Sequence, residues 1–122
     1  MTTKEVADRL VELCRKGNFE TIQSELFADD AVSIEQHATP AFEKETKGKK
    51  AIKEKGDKWN AMVAEVHDME VSDPVVATDS FAITMRMHVT MKEHGKVDMT
   101  ELCVYSVKDG KIVSEQFFVQ KN

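Results

Sequence analysis

Apolar residues recur at helical spacing along the first half of the chain and at alternate positions along the second half, and this change of period predicts helices followed by a sheet. Thr2 followed by Glu5 is a capping-box pattern. Val6, Leu10, Leu13 and Cys14 then mark one helical face until Gly17, so a first helix is expected to about Lys16. Asn18 is placed to cap a short second helix with Phe19, Ile22 and Leu26 on one face, and Asp29-Asp30 is expected to break it. Ala31 to Gln36 reads as a short strand. His37 to Gly48 holds Pro40, several charges and no sustained period, which reads as a loop and a candidate lid. A third helix is expected from about Lys49, with Ile52, Trp59, Met62, Val63 and Val66 on one stripe and Gly56 as its weak point.

The remainder is strand-like. Met69 to Thr78 is interrupted at Asp73-Pro74, the mark of a bent or edge strand. Phe81, Ile83, Met85, Met87, Val89 and Met91 then alternate with Ala82, Thr84, Arg86, His88, Thr90 and Lys92, so one face of this strand is buried. His94-Gly95 closes a hairpin to Val97 through Val107, and Lys108-Asp109-Gly110-Lys111 closes another to Ile112 through Val119. The reading is an α+β protein, helices first and then a curled antiparallel meander.

Two glutamates break this pattern. Glu101 shares a face with Val97, Met99, Cys103, Tyr105 and Val107, and Glu115 shares one with Val113, Phe117 and Val119. Burying a carboxylate is unfavourable by several kcal/mol unless it is paired or neutralised. Two inward carboxyls on neighbouring strands raise each other's pKa, and burial acts in the same direction, so one can donate a proton while the other accepts one. The structural alternative is an ion pair with Arg86 or a lysine, or escape to the sheet rim. Glu35 falls opposite Val32 and Ile34, so local pattern alone places it outward. Tyr105 is the candidate hydrogen-bond donor beside Glu101. Trp59, Met85, Cys103 and Phe117 are candidate ligand walls, although for Trp59 and the methionines core packing is an equal or stronger reading. His37, just after Glu35, is a candidate proton shuttle or ligand contact.

Composition narrows the function classes. The 122 residues suit a single domain, 1–122, able to bury about two-thirds of its unfolded surface. A net charge of -5 argues against binding through phosphate neutralisation, and the lysines between Lys44 and Lys55 are interleaved with Glu43, Glu45 and Glu54. Nucleic acid is therefore not the expected partner. The start has no apolar leader and no stretch is long enough to cross a bilayer, so no membrane association and a cytoplasmic location are expected. Cys14 and Cys103 read as buried apolar residues rather than a disulfide, and no metal-ligand spacing occurs.

Four segments together resemble the nuclear transport factor 2-like superfamily, in particular its SnoaL-like branch: Gly17-Asn18-Phe19-Glu20, Leu26 through Val32, Gly48 through Ile52, and Val104 through Val113. The resemblance implies a cone-shaped α+β barrel, a curved and largely antiparallel sheet around N-terminal helices, enclosing an apolar pocket. It also implies a homodimer through the outer sheet face, where Thr84, Arg86, His88 and Thr90 lie. Glu35 matches the carboxylate base of relatives similar to ketosteroid isomerase. Their two oxyanion donors, a helix-one tyrosine and a strand aspartic acid, fall here on Leu10 and Cys103, which donate no strong hydrogen bond. The same aspartate is missing for a SnoaL-type cyclase. The expectation is an acidic-floored apolar pocket for a small apolar or partly polar organic ligand. As an enzyme it would be a proton-transfer isomerase, cyclase or lyase without a cofactor, with Glu35, Glu101, Glu115 and Tyr105 as its acid-base groups. The alternative is a non-catalytic ligand-binding or dimerisation module.

Overall fold

The computed structural model describes residues 1–121. Helix α1 (Thr3–Arg15) begins as the capping box requires: the Glu5 amide donates to the Thr2 hydroxyl at 3.1 Å and the Thr2 amide to the Glu5 carboxylate at 2.9 Å. Its apolar face, Val6, Ala7, Leu10, Val11, Leu13 and Cys14, is buried. Gly17 ends it at φ +74, a left-handed conformation that only glycine adopts freely. Helix α2 (Phe19–Leu26) follows, burying Ile22 and Leu26. Asn18 makes no side-chain cap there, and the helix runs straight into strand β1 (Phe27–Ile34), so Asp29-Asp30 lies within a strand rather than breaking a helix.

The segment expected to be a loop contains a short strand, β2 (Glu45–Lys47), paired antiparallel to β1. The residues between them are fastened rather than free. The Glu35 amide donates to the Lys44 carbonyl at 2.7 Å, the Lys58 ammonium donates to the Ala41 carbonyl, and that ammonium lies 5.2 Å from the centre of the Phe42 ring. Helix α3 (Lys49–Met62) ends earlier than its apolar stripe suggested, because Val63 opens strand β3 (Val63–Val71). Val66 is 59% exposed, so a helical period extended through it crosses a helix–strand junction. Pairing of β3 with β5 satisfies its backbone and overrides the local helical signal.

Strands β4 (Val75–Val76), β5 (Ser80–Met91), β6 (Gly95–Lys108) and β7 (Lys111–Lys121) complete a seven-stranded sheet. Its order is β2-β1-β7-β6-β5-β3, with β4 also on β5. Among the described residues only β1 and β7 run parallel, and the other pairings are antiparallel. Asp109 and Gly110, both at positive φ, make the two-residue turn between β6 and β7. The inner faces of β5, β6 and β7 meet α1 in one hydrocarbon cluster that includes Val6, Leu10, Phe81, Ile83, Val107 and Ile112. Among the described residues no helix is long and apolar enough to cross a membrane.

Candidate functional site

Three backbone elements and one helix bring polar side chains into the sheet interior. On β1 the inward residues are Ala31 and Ser33, both fully buried, and the same alternation turns Glu35 inward just past the strand's end. Val32 and Ile34 are only half-buried, so the apolar residues of this strand mark its less sheltered face, and the outward placement of Glu35 from local pattern is corrected. On β6 Glu101 and Cys103 face in, and on β7 Glu115 and Phe117 do. In register, Glu101 stands opposite Met85 and Val119, Cys103 opposite Ile83 and Phe117, and Tyr105 opposite Phe81 and Glu115. Ser33 on β1 is the partner of Glu115 across the parallel pairing.

The group that organises the cluster is Lys55. It lies on α3 at three residues after Ile52 and four before Trp59, so it belongs to that helix's sheltered stripe. Its ammonium donates to the Ser33 hydroxyl at 2.8 Å and pairs with the Glu35 carboxylate at 3.1 Å, with side-chain exposures of 16% and 24%. The Phe117 ring centre lies 5.4 Å away, within reach of a cation–π contact. Neither Lys55 nor Ser33 stood out in the sequence. The signal for Lys55 was a lysine inside the helical spacing of Ile52, Trp59 and Met62; Ser33 had only its position two residues from Glu35.

Glu115 is 7% exposed, and its Oε2 has no hydrogen-bond partner among the described residues. Burial pushes its carboxyl up to about 7; the Lys55 ammonium and the Ser33 hydroxyl oppose the rise, while Glu35 and Glu101 add to it. Burial likewise pushes Glu101 up to about 7, helped by Glu35 and opposed by the Cys103 thiol, whose Sγ donates to Oε2 at 3.7 Å, and by Lys55. Both carboxyls therefore exchange protons near neutral pH, the range in which general acid-base groups work best. Burial also raises Cys14, to about 12, and raises Cys103 and Tyr105, so two thiols and a phenol around the cluster stay neutral.

The remaining candidates are distributed. Tyr105 packs in the core, stacked on Phe81 with ring centres 4.9 Å apart, and faces Glu115 rather than Glu101 directly. Met85 is buried beside Glu101, and Trp59 is half-buried one turn beyond Lys55. His37 is exposed on the loop after β1. Arg86 pairs with Asp98, at 2.7 Å, on the outer face, so the proposed partner of an inward glutamate is a lysine and not Arg86. Among the described residues no three His, Cys, Asp or Glu side chains converge closely enough to hold a metal ion. A crevice of about 280 Å³ opens at the far end of the sheet between Ala41, Met62, Met91 and His94.

Comparison with known proteins is consistent with this architecture. A family model described as a SnoaL-like domain matches residues 1–119. A structure from Mesorhizobium loti, provisionally described as a SnoaL-like polyketide cyclase, is 35% identical, with a TM-score of 0.90 over 97% of this chain and 99% of that one. A Burkholderia pseudomallei protein of unknown function, described as nuclear transport factor 2-like, shares the fold at 11% identity and a TM-score of 0.80, covering 98% and 92% of the two chains. A Bacillus subtilis protein provisionally described as an isomerase does so at 18% identity and 0.72, covering 98% and 90%. No curated protein sequence matches the chain. With the family model spanning nearly all of it, the chain belongs to the SnoaL-like family of the nuclear transport factor 2-like superfamily.

Proposed function

We propose that this protein takes a small organic molecule into the space bounded by Glu35, Lys55, Glu101 and Glu115 and moves a proton on it without a cofactor, as an isomerase, cyclase or lyase. The observation that carries this reading is the buried oxygen of Glu115, without a partner among the described residues, on the same inner sheet face as a second carboxyl that also titrates near neutral pH. A satisfied structural carboxylate has no reason to keep an open oxygen, because leaving it unpaired costs about 1–3 kcal/mol. Glu35, paired with Lys55, is the base; Glu115 or Glu101, exchanging its proton near pH 7, is the second acid-base group. Lys55 supplies the positive charge that neither Leu10 nor Cys103 offers to an oxyanion. Tyr105, kept neutral by burial, remains a donor, and Trp59, Met85, Cys103 and Phe117 are walls. The descriptions of two structurally similar proteins as a cyclase and an isomerase support this class of chemistry.

The test is carbon-bound deuterium uptake from heavy water by a panel of small carbonyl and amino-carbonyl compounds, followed by proton NMR. Glu115→Gln is expected to abolish exchange while the circular dichroism spectrum is kept; undiminished exchange rejects the assignment. The Glu35–Lys55 pair favours one second reading, a ligand-binding module in which the glutamates recognise rather than react. A homodimer through the outer face, where Leu102 and Phe118 lie side by side and exposed, belongs to either reading.

A further inference from the structure

The charges inside the sheet do not balance. Three carboxyls, Glu35, Glu101 and Glu115, surround one ammonium, Lys55, and that ammonium forms its ion pair with Glu35 alone. The other titratable groups that face them are Cys14 from α1 and Cys103 and Tyr105 from β6, all neutral, and among the described residues Lys55 is the one cation that acts on Glu101 and Glu115. Glu115 is left with a buried oxygen that has no hydrogen-bond partner among the described residues. The partner that satisfies such an oxygen best is a donor bearing charge, because a charge-assisted hydrogen bond is about twice as strong as a neutral one and lets the carboxyl ionise.

The surroundings suit an organic cation. Phe117 already presents its ring to one ammonium. Along β5 and β6 the inward residues from Glu101 towards the crevice are Met85, Met87, Met99, Val89 and Met91, and the four methionines are flexible, polarisable side chains that re-pack around varied apolar shapes. The crevice lies where that lining ends, at Met91, with Lys92, Glu93 and His94 on its rim.

Building on the proposed function, we infer that the ligand of this site is a small primary amine, its protonated nitrogen held by Glu115 and Glu101 and its apolar body lying along the methionines of β5 and β6. Binding makes no covalent bond. Each carboxyl that ionises to meet the ammonium releases one proton to solvent.

The experiment is isothermal titration calorimetry of the whole protein with benzylamine and with its neutral counterpart benzyl alcohol, between about pH 6 and about pH 8, in two buffers of different ionisation heat. Benzylamine is expected to bind with net proton release, its affinity rising by up to about tenfold per pH unit for each carboxyl that ionises, towards pH 7, and levelling above it. Glu115→Gln, and separately Glu101→Gln, should weaken the amine at least about tenfold and leave the alcohol unmoved. If benzyl alcohol binds as tightly as benzylamine, or the amine binds without proton release, the amine assignment falls while the small-molecule site stands. If neither binds, the inference and the proposed function on which it rests fall together.

Discussion

The inner faces of β6 and β7 carry two regions of opposite character within a few residues of each other. Towards the β6–β7 turn, Val107 and Ile112 join Phe81, Ile83, Val6 and Leu10 in a hydrocarbon cluster with no open valence. Further along the same strands stand Glu115, three residues beyond Ile112, and Glu101, six before Val107, with Lys55 and Ser33 reaching in from α3 and β1. Both regions lie on the same strands, and a bulge beside Ser106 and Val107 separates them, so that Ile112 and Glu115 both face in although they are three residues apart. What differs is the element laid against them. Helix α1 covers the first with valine and leucine and borders the second with Cys14, to which α3 adds a lysine. Burial alone therefore does not make a core, and the polar region forgoes apolar stabilisation, at roughly 25 cal/mol per Å², where it holds carboxyls pushed up to about 7.

That contrast is sharpest if the hydrocarbon region is damaged. Ile83→Ala removes a side chain that is 1% exposed and leaves a cavity beside α1, so chemical denaturation should show a loss of about 2–5 kcal/mol at every pH. A loss that varies strongly with pH would mean that the two regions are not separate.

Glu115→Gln should do the reverse. Its carboxyl is raised from an ordinary value of 4.5 to about 7, so its contribution to stability is full below about pH 4.5 and is lost as pH rises through 7. The glutamine variant is expected to be more stable than the parent at about pH 8, by up to about 3 kcal/mol, and to lose that advantage near pH 4. Thermal melts across this range decide it. A variant that melts lower at pH 8 would show that Glu115 is a structural partner.

Lys55→Met has the smallest expected effect on stability and the most direct effect on titration. Removing the ammonium leaves Glu35 unpaired, a loss of roughly 1–2 kcal/mol at neutral pH given that both side chains keep some contact with solvent. Because Lys55 lowers both carboxyls, carbon-13 NMR should find Glu101 and Glu115 titrating above their values in the parent. Unmoved titrations would detach the lysine from the cluster.

The sequence alone determined a good deal: the capping box at Thr2 and Glu5, the alternation from Phe81 to Met91, and the two-residue turn at Asp109-Gly110 are local signals, each realised in the structure because it depends on residues a few positions apart. It also placed Glu101 and Glu115 inward, since facing is set by a strand's own alternation. Only the tertiary structure decided that β1 turns Ser33 and Glu35 inward and that Lys55 meets them, because those contacts join residues 20 and 22 positions apart across a helix and a strand. Which side of a strand becomes the interior depends on what is packed over it, and that is a property of the assembled fold rather than of any segment.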